Sequence, residues 1–321
     1  MSGISLFDYQ LDAVNRMRNG CILCGGVGSG KSRTSLAYYY KEQGEVLGTK
    51  NYVRMKNPKD LYIITTARKR DTLEWEGELS YFLLSTNPKV NGYKNRVIVD
   101  SWNNIQKYKN VTDSFFIFDE QRVVGSGVWV KSFLKITKSN DWILLSATPG
   151  DTWQDYIPVF IANGFYRNRT EFCNEHIIYS RFSKFPKIDR YINTGRLIRL
   201  RDRILVDMDF KRETVAHHED IIVQYDISKY KETMRNRWDP YNNEPITNAS
   251  GLCYILRKIV NSDESRQIAL MDILESRPKV IVFYNFDYEL DILKGIYYGD
   301  NVEIAEWNGH THQPIPNKKS W

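Results

Sequence analysis

"GGVGSGKS", residues 25 to 32, is the stretch that decides the fold. It satisfies G-x-x-x-x-G-K-[ST], follows the apolar run "CILC" (21–24) and opens the helical pattern "SRTSLAYYYKEQ" (32–43). Glycines there let backbone N–H groups turn inward around phosphate oxygens, and the helix N-terminus adds the positive end of its dipole. Gly25, Gly28, Ser29 and Gly30 are therefore the expected phosphate cradle. Lys31 is expected to reach the terminal phosphates of ATP and Ser32 to hold Mg²⁺. The competing possibility is a glycine-rich strand-to-helix turn that binds nothing.

The other half of such a site lies in "SFFIFDEQR" (114–122). Four apolar residues of a buried strand end in Asp119 and Glu120, at the sheet edge where α/β proteins bind ligands. Asp119 suits the Mg²⁺ shell, and Glu120 suits the orientation or deprotonation of an attacking water. Alone, the two carboxylates read better as the solvated start of a loop; beside a phosphate loop the preference reverses and they read as catalytic.

Around these motifs, from residue 20 to 150, short apolar runs alternate with helical patterns: "LYIITT" (61–66), "RVIVD" (96–100) and "DWILLSAT" (141–148) are the remaining strands. Strands separated by helices predict an α/β fold with a parallel sheet covered on both faces. After Pro149 aromatic and basic helical stretches take over, beginning with "TWQDYIPVFIANGFYRNRTEF" (152–172). Between 181 and 212 basic residues outnumber acidic ones ten to four. We therefore expect a nucleotide-binding domain over 1–150 and a mainly helical basic connector over 151–261, with a strand at "EDIIVQYD" (219–226). A second α/β segment is expected over 262–321, with helices at 267–276 and 287–297 and strands "KVIVFY" (279–284) and "VEIAEW" (302–307). Two strands are too few for a complete doubly wound domain.

Composition excludes several classes. No apolar run nears the ~18 to 20 residues that a membrane span needs, and "MSGISLFDYQ" has neither the basic nor the apolar region of an export signal. A cytoplasmic protein is expected. Four scattered cysteines make no disulfide scaffold, and Cys21 and Cys24 flank Ile22 and Leu23 in a buried strand, where they pack as small hydrophobes. His310 and His312, like His217 and His218, have no further ligand nearby in sequence and are not taken as a metal site. The net charge of +6 is too mild to establish a polyanion partner by itself.

The phosphate loop and acidic pair leave kinases, AAA-type machines, transporters and helicases open. Three further features narrow the choice. Gln10 in "LFDYQLDAV" (6–14) can donate and accept at once, as recognition of adenine requires. Ser146 and Thr148 in "LLSATPG" (144–150) end the strand after the acidic pair, where hydroxyls can couple a nucleotide site to a bound strand. "TTARKRDTLEWEGEL" (65–79) and "VIVDSWNNI" (97–105) end two more strands in hydroxyl or aromatic groups at the same edge.

Together these motifs resemble superfamily 2 helicases and translocases, and more closely the Swi/Snf-type DNA translocases and their small bacteriophage relatives. "RLIRLRDRILVDM" (196–208), "YDISKYKET" (225–233), "LCYILRKIVN" (252–261) and "KVIVFYNFDYELDIL" (279–293) extend the likeness along the chain. The resemblance implies a RecA-like P-loop NTPase lobe, a basic helical connector and the start of a second RecA-like lobe. It implies an ATP-dependent DNA helicase or translocase acting on single- or double-stranded DNA, in phage replication or recombination within the host cytoplasm. Gln10, Lys31, Ser32, Asp119 and Glu120 would form the nucleotide site, Ser146 and Thr148 would couple it to DNA, and Thr66, Ser101 and Trp102 would touch the DNA backbone. Gln121 and Arg122 depart from the alanine and histidine common in relatives, which leaves their role open.

"WNGHTH" (307–312) is similar to the strand-and-glycine element of the second lobe, after which relatives carry more strands and a helix bearing arginine fingers. An arginine delivered to the transition state is worth ~10³ to 10⁵ in rate. The sequence is expected to be cut within that lobe, completed by a partner or a second copy. An alternative is a nucleotide- and DNA-binding module with little turnover of its own. A small-metabolite kinase is disfavoured by Gln10 and the Ser-Ala-Thr stretch.

Overall fold

A computed structural model describes residues 3–120, 123–183, 185–210, 217–317 and 320. The chain divides into two units, Met1–Glu213 and Thr214–Trp321. The first contains strands β1 (Ile22–Cys24), β2 (Leu61–Thr65), β3 (Val97–Ser101), β4 (Phe115–Asp119), β5 (Asp141–Ser146), β6 (Ile177–Tyr179), β7 (Ile188–Tyr191) and β8 (Leu205–Asp207). Its helices are α1 (Asp8–Arg16), α2 (Lys31–Glu42), α3 (Ala67–Asp71), α4 (Glu74–Ser80), α5 (Val128–Ile136), α6 (Ile157–Ala162), α7 (Arg169–His176) and α8 (Thr194–Ile204). Six strands form one parallel sheet in the order β3-β2-β4-β5-β1-β8, and β6 and β7 pair as an antiparallel hairpin. This is the α/β architecture expected from the sequence.

The strands are apolar on both faces because both faces are covered. Leu23, Ile63, Ile117 and Leu145 join a core with α1, α2 and α4. Their neighbours Ile22, Ile64, Phe118 and Leu144 join a second core with α5 to α8. Residues alternate between the two cores because successive side chains of a strand point to opposite sides. Helix α2 is buried continuously from Thr34 to Tyr40, which a helix wrapped in protein tolerates only if its polar tips find partners. Two tyrosines show this: the hydroxyl of Tyr39 donates to the Lys59 carbonyl at 2.5 Å and that of Tyr40 to the Val53 carbonyl at 2.6 Å.

The boundary expected near residue 150 falls inside the first unit. Strand β8 pairs with β1, Leu205 opposite Ile22, and so completes the sheet from beyond the supposed connector. The arginine-rich helix α8 buries Leu197, Leu200 and Ile204, one face of a helix, and thereby belongs to the second core. Cys21 and Cys24 lie at and in β1, where burial pushes both thiols up to about 11 and keeps them protonated and unreactive at neutral pH.

The second unit contains α9 (Ile227–Asn236), α10 (Ala249–Asn261), α11 (Glu264–Ser276) and α12 (Asp287–Gly295), with a two-stranded pairing of β9 (Trp238–Asp239) and β10 (Glu244–Pro245). The helices expected at 267–276 and 287–297 are α11 and α12. The strands expected at 219–226, 279–284 and 302–307 do not form: among the described residues, these segments contribute only isolated bridges, Val302 to Ser320 and Trp307 to His312. Strand propensity is realised only through a hydrogen-bonded neighbour, and Phe283 is 92% exposed. Among the described residues no helix is long and apolar enough to cross a membrane.

Candidate active site

The sheet brings the motifs together at the C-terminal ends of its strands. β1 ends at Cys24 opposite Ser146 of β5, Asp119 of β4 lies opposite Leu145, and Thr65 of β2 lies opposite Ser101 of β3. The end of β5 is tied to both halves of the site: the Gly25 N–H donates to the Ser146 carbonyl and the Glu120 N–H to the Leu145 carbonyl, each at 3.2 Å.

From β1 the chain turns through the glycine loop into α2. Gly28 and Gly30 have φ of +84° and +77°, a region that side chains disfavour. A Cβ on Gly30 would also stand 2.3 Å from Nε2 of Gln10, so a side chain here would be strained and would displace the Gln10 amide from the loop. Gln10 is buried, and its amide staples the loop: Nε2 donates to the Ser29 carbonyl at 3.3 Å, and Oε1 accepts from the Phe7 N–H at 3.0 Å. Lys31 donates to the carbonyls of Gly25 at 2.7 Å and Gly26 at 3.0 Å. Burial lowers its pKa, and the charges of Asp119 and Glu120 oppose that shift.

Asp119 is buried, and its Oδ2 accepts from the hydroxyl of Thr65 at 2.8 Å and the ammonium of Lys69 at 3.1 Å. Lys69 also reaches Oε1 of Glu120 at 2.7 Å. Glu120 has φ of +57°, a left-handed backbone that costs a non-glycine residue on the order of 1–3 kcal/mol. Its N–H bond to Leu145 helps hold it there. Such strain gathers at functional sites because the surrounding structure must over-determine it. Burial raises the Asp119 pKa, with Lys69 and Thr65 pulling it back. Lys69 is lowered by burial, but the two carboxylates more than reverse this, so its pKa is raised.

A buried carboxylate of raised pKa fits a bound cation, because a divalent charge removes the penalty on its ionised form. Lys31, Ser32 and Asp119 are suited in type to ATP with Mg²⁺. The raised pKa of Asp119 has a consequence for pH. Protons compete for it at higher pH than for an exposed aspartate, so Mg²⁺-dependent nucleotide affinity is expected to weaken on acidification from neutral pH, before the ordinary aspartate range is reached. Titration of nucleotide binding across that range, with and without Mg²⁺, checks this; metal-dependent binding indifferent to pH would contradict it.

Beside the acidic pair, Asp100 accepts from Tyr108 at 2.6 Å, the Ser101 N–H at 2.7 Å, Asn104 at 2.8 Å and Arg70 at 3.3 Å. Burial raises its pKa, yet these four donors outweigh that and leave it lowered. Arg70 also donates to Ser101 at 3.3 Å. Ser101 and Trp102, expected to touch a DNA backbone, are 2% and 4% exposed. The indole N–H of Trp102 donates to the Asp119 carbonyl at 2.9 Å, and its ring packs against Phe118 and Trp129, so its job here is to support the acidic pair. Thr66, the third residue of that set, caps α3 by accepting from the Lys69 N–H at 3.3 Å. Ser146 is buried and accepts from the Thr148 N–H at 3.1 Å, while Thr148 itself is exposed. Gln121 and Arg122 lie outside the described residues.

Lys69, Thr65 and Asp100 belong to the site and escaped the sequence reading. The usable signal for Thr65 was strand alternation, since the last strand residue faces its neighbour strand's terminus while the next residue caps the helix.

A parallel α/β sheet with a glycine loop and a carboxylate pair at one edge defines the frame of a P-loop nucleotide site. No protein-family model matches this chain, and no curated protein matches it. Among solved structures it is similar to a Sulfolobus solfataricus SWI2/SNF2 ATPase core in complex with dsDNA, at 15% identity and TM-score 0.49, covering 92% of this chain and 70% of that one. The Sulfolobus solfataricus SWI2/SNF2 ATPase core domain is similar at 16% identity and TM-score 0.47, covering 92% and 68%. The Pyrococcus furiosus Hef helicase domain is similar at 15% identity and TM-score 0.36, covering 54% and 40%.

Proposed function

We propose that this chain is an ATP-dependent DNA translocase or helicase of superfamily 2. The observation that carries the nucleotide half of this reading is the junction at the end of β5, whose last two carbonyls bond to the first phosphate-loop glycine and to Glu120. Movement of one half of the site is therefore felt by the other. DNA as the track follows from the sequence resemblance and from the basic stretch between 181 and 212. A role in phage replication or recombination rests on that resemblance alone.

Bound Mg²⁺ would supply charge neutralisation between the phosphates and be held by Ser32 and Asp119. The loop amides and Lys31 would bind the phosphates, and Gln10, stapled to the loop, would transmit adenine recognition to it. Glu120 would orient and deprotonate the attacking water. Ser146, buried between the two halves, and the exposed Thr148 after it would relay nucleotide state to DNA. A second reading, a nucleotide- and DNA-binding module with little turnover, is favoured by the unladdered segments 279–284 and 302–307 of the second unit.

Equilibrium binding of ATP with Mg²⁺ to the parent chain and to Lys31→Ala tests the site. Loss of the ammonium should weaken binding about 100-fold, the scale of a charged contact. Equal affinity in the two proteins would remove Lys31 and the loop from the account.

A further inference from the structure

We propose that Lys69 is a positioning residue that serves as an internal counter-ion for Asp119 and Glu120 and competes with a divalent cation for them. The proposal rests on the nucleotide site described above and assigns a role that neither the phosphate loop nor the acidic pair contains. One ammonium reaches both carboxylates, at 3.1 Å and 2.7 Å. Lys69 is only 20% exposed at its side chain and Asp119 is buried, so that half of the contact is shielded from solvent, while the Glu120 side chain is 47% exposed.

The lysine is also mounted. Thr66 caps its helix at the Lys69 N–H, and the next residue, Arg70, is fastened to Asp100 and Ser101 at the neighbouring strand end. On the other side the Glu120 backbone is held by Leu145, which leaves its side chain as the part that can move. A cation at Asp119 and a water at Glu120 would draw on the two carboxylates that Lys69 engages through Oδ2 and Oε1, and positive charges gathered at one carboxylate repel each other. Lys69 therefore keeps the pair satisfied and must yield before both carboxylates can act.

The test is equilibrium binding of a fluorescent ADP analogue to the full chain, titrated with Mg²⁺ and repeated in EDTA, for the parent, Lys69→Met and Lys69→Arg. Removing the ammonium should lower the half-saturating Mg²⁺ about tenfold, read against each variant's own metal-free affinity, and arginine should reverse the change. Thermal unfolding of each variant monitors the fold, and Lys69→Gln replaces methionine if that variant does not fold. An unmoved or raised Mg²⁺ requirement in the neutral variant would overturn the proposal and leave Lys69 a structural pin. A parent chain that binds no nucleotide would instead overturn the underlying site.

Discussion

Glu120→Gln is expected to cut ATP turnover by roughly 10²- to 10⁴-fold, the usual contribution of a positioned general base, while ATP binding stays near that of the parent. The substitution keeps the size of the side chain and a hydrogen-bonding oxygen for Lys69 but removes the ability to take a proton. The backbone at Glu120 is left-handed and tied to Leu145, and glutamine can occupy it at the same cost as glutamate. Phosphate release under single-turnover conditions, alongside binding, separates the two effects. A variant that hydrolyses ATP at the parent rate would show that Glu120 is not the base.

Phe118→Ala should destabilise the first unit by about 3–5 kcal/mol, a midpoint decrease of roughly 6–20 °C for a unit of this size. Phe118 is fully buried, with its ring edge-on to Phe133 at 5.0 Å, stacked on Phe116 at 5.7 Å and tilted against Trp102 at 5.5 Å. Its removal leaves a cavity walled by other aromatic rings, which are too large to collapse into it cheaply. The same cavity undermines Trp102, whose indole holds the carbonyl of Asp119. Nucleotide affinity should therefore fall in Phe118→Ala even below its melting range. A thermal midpoint within about 2 °C of the parent would contradict the role given to this core.

The central sheet was legible because parallel strands covered on both sides become nearly continuous apolar runs, as in "FFIFD" and "WILL", and because a glycine loop between strand and helix has one common use. Strand β8 was not. Three residues long, it follows an arginine-rich helix, and only its pairing with β1 shows that it is a strand. Lys69 was hidden among Arg68, Arg70 and the acidic residues around them, where composition suggests a solvated helix face. What singles it out is the register of β2 against β4, which aims the turn after β2 at the end of β4. Trp102 misled for a related reason. An aromatic residue at a strand end reads as a contact surface until the backbone carbonyl that its N–H serves is known. In the second unit the error ran the other way, since "KVIVFY" has every local mark of a strand and lacks a ladder in the described structure.

Steady-state ATP hydrolysis by the 321-residue chain, measured without DNA and with single- and double-stranded DNA, tests the central claim most directly. The account predicts turnover that rises with DNA and disappears in Lys31→Ala. A rate that ignores DNA and survives loss of Lys31 would contradict it.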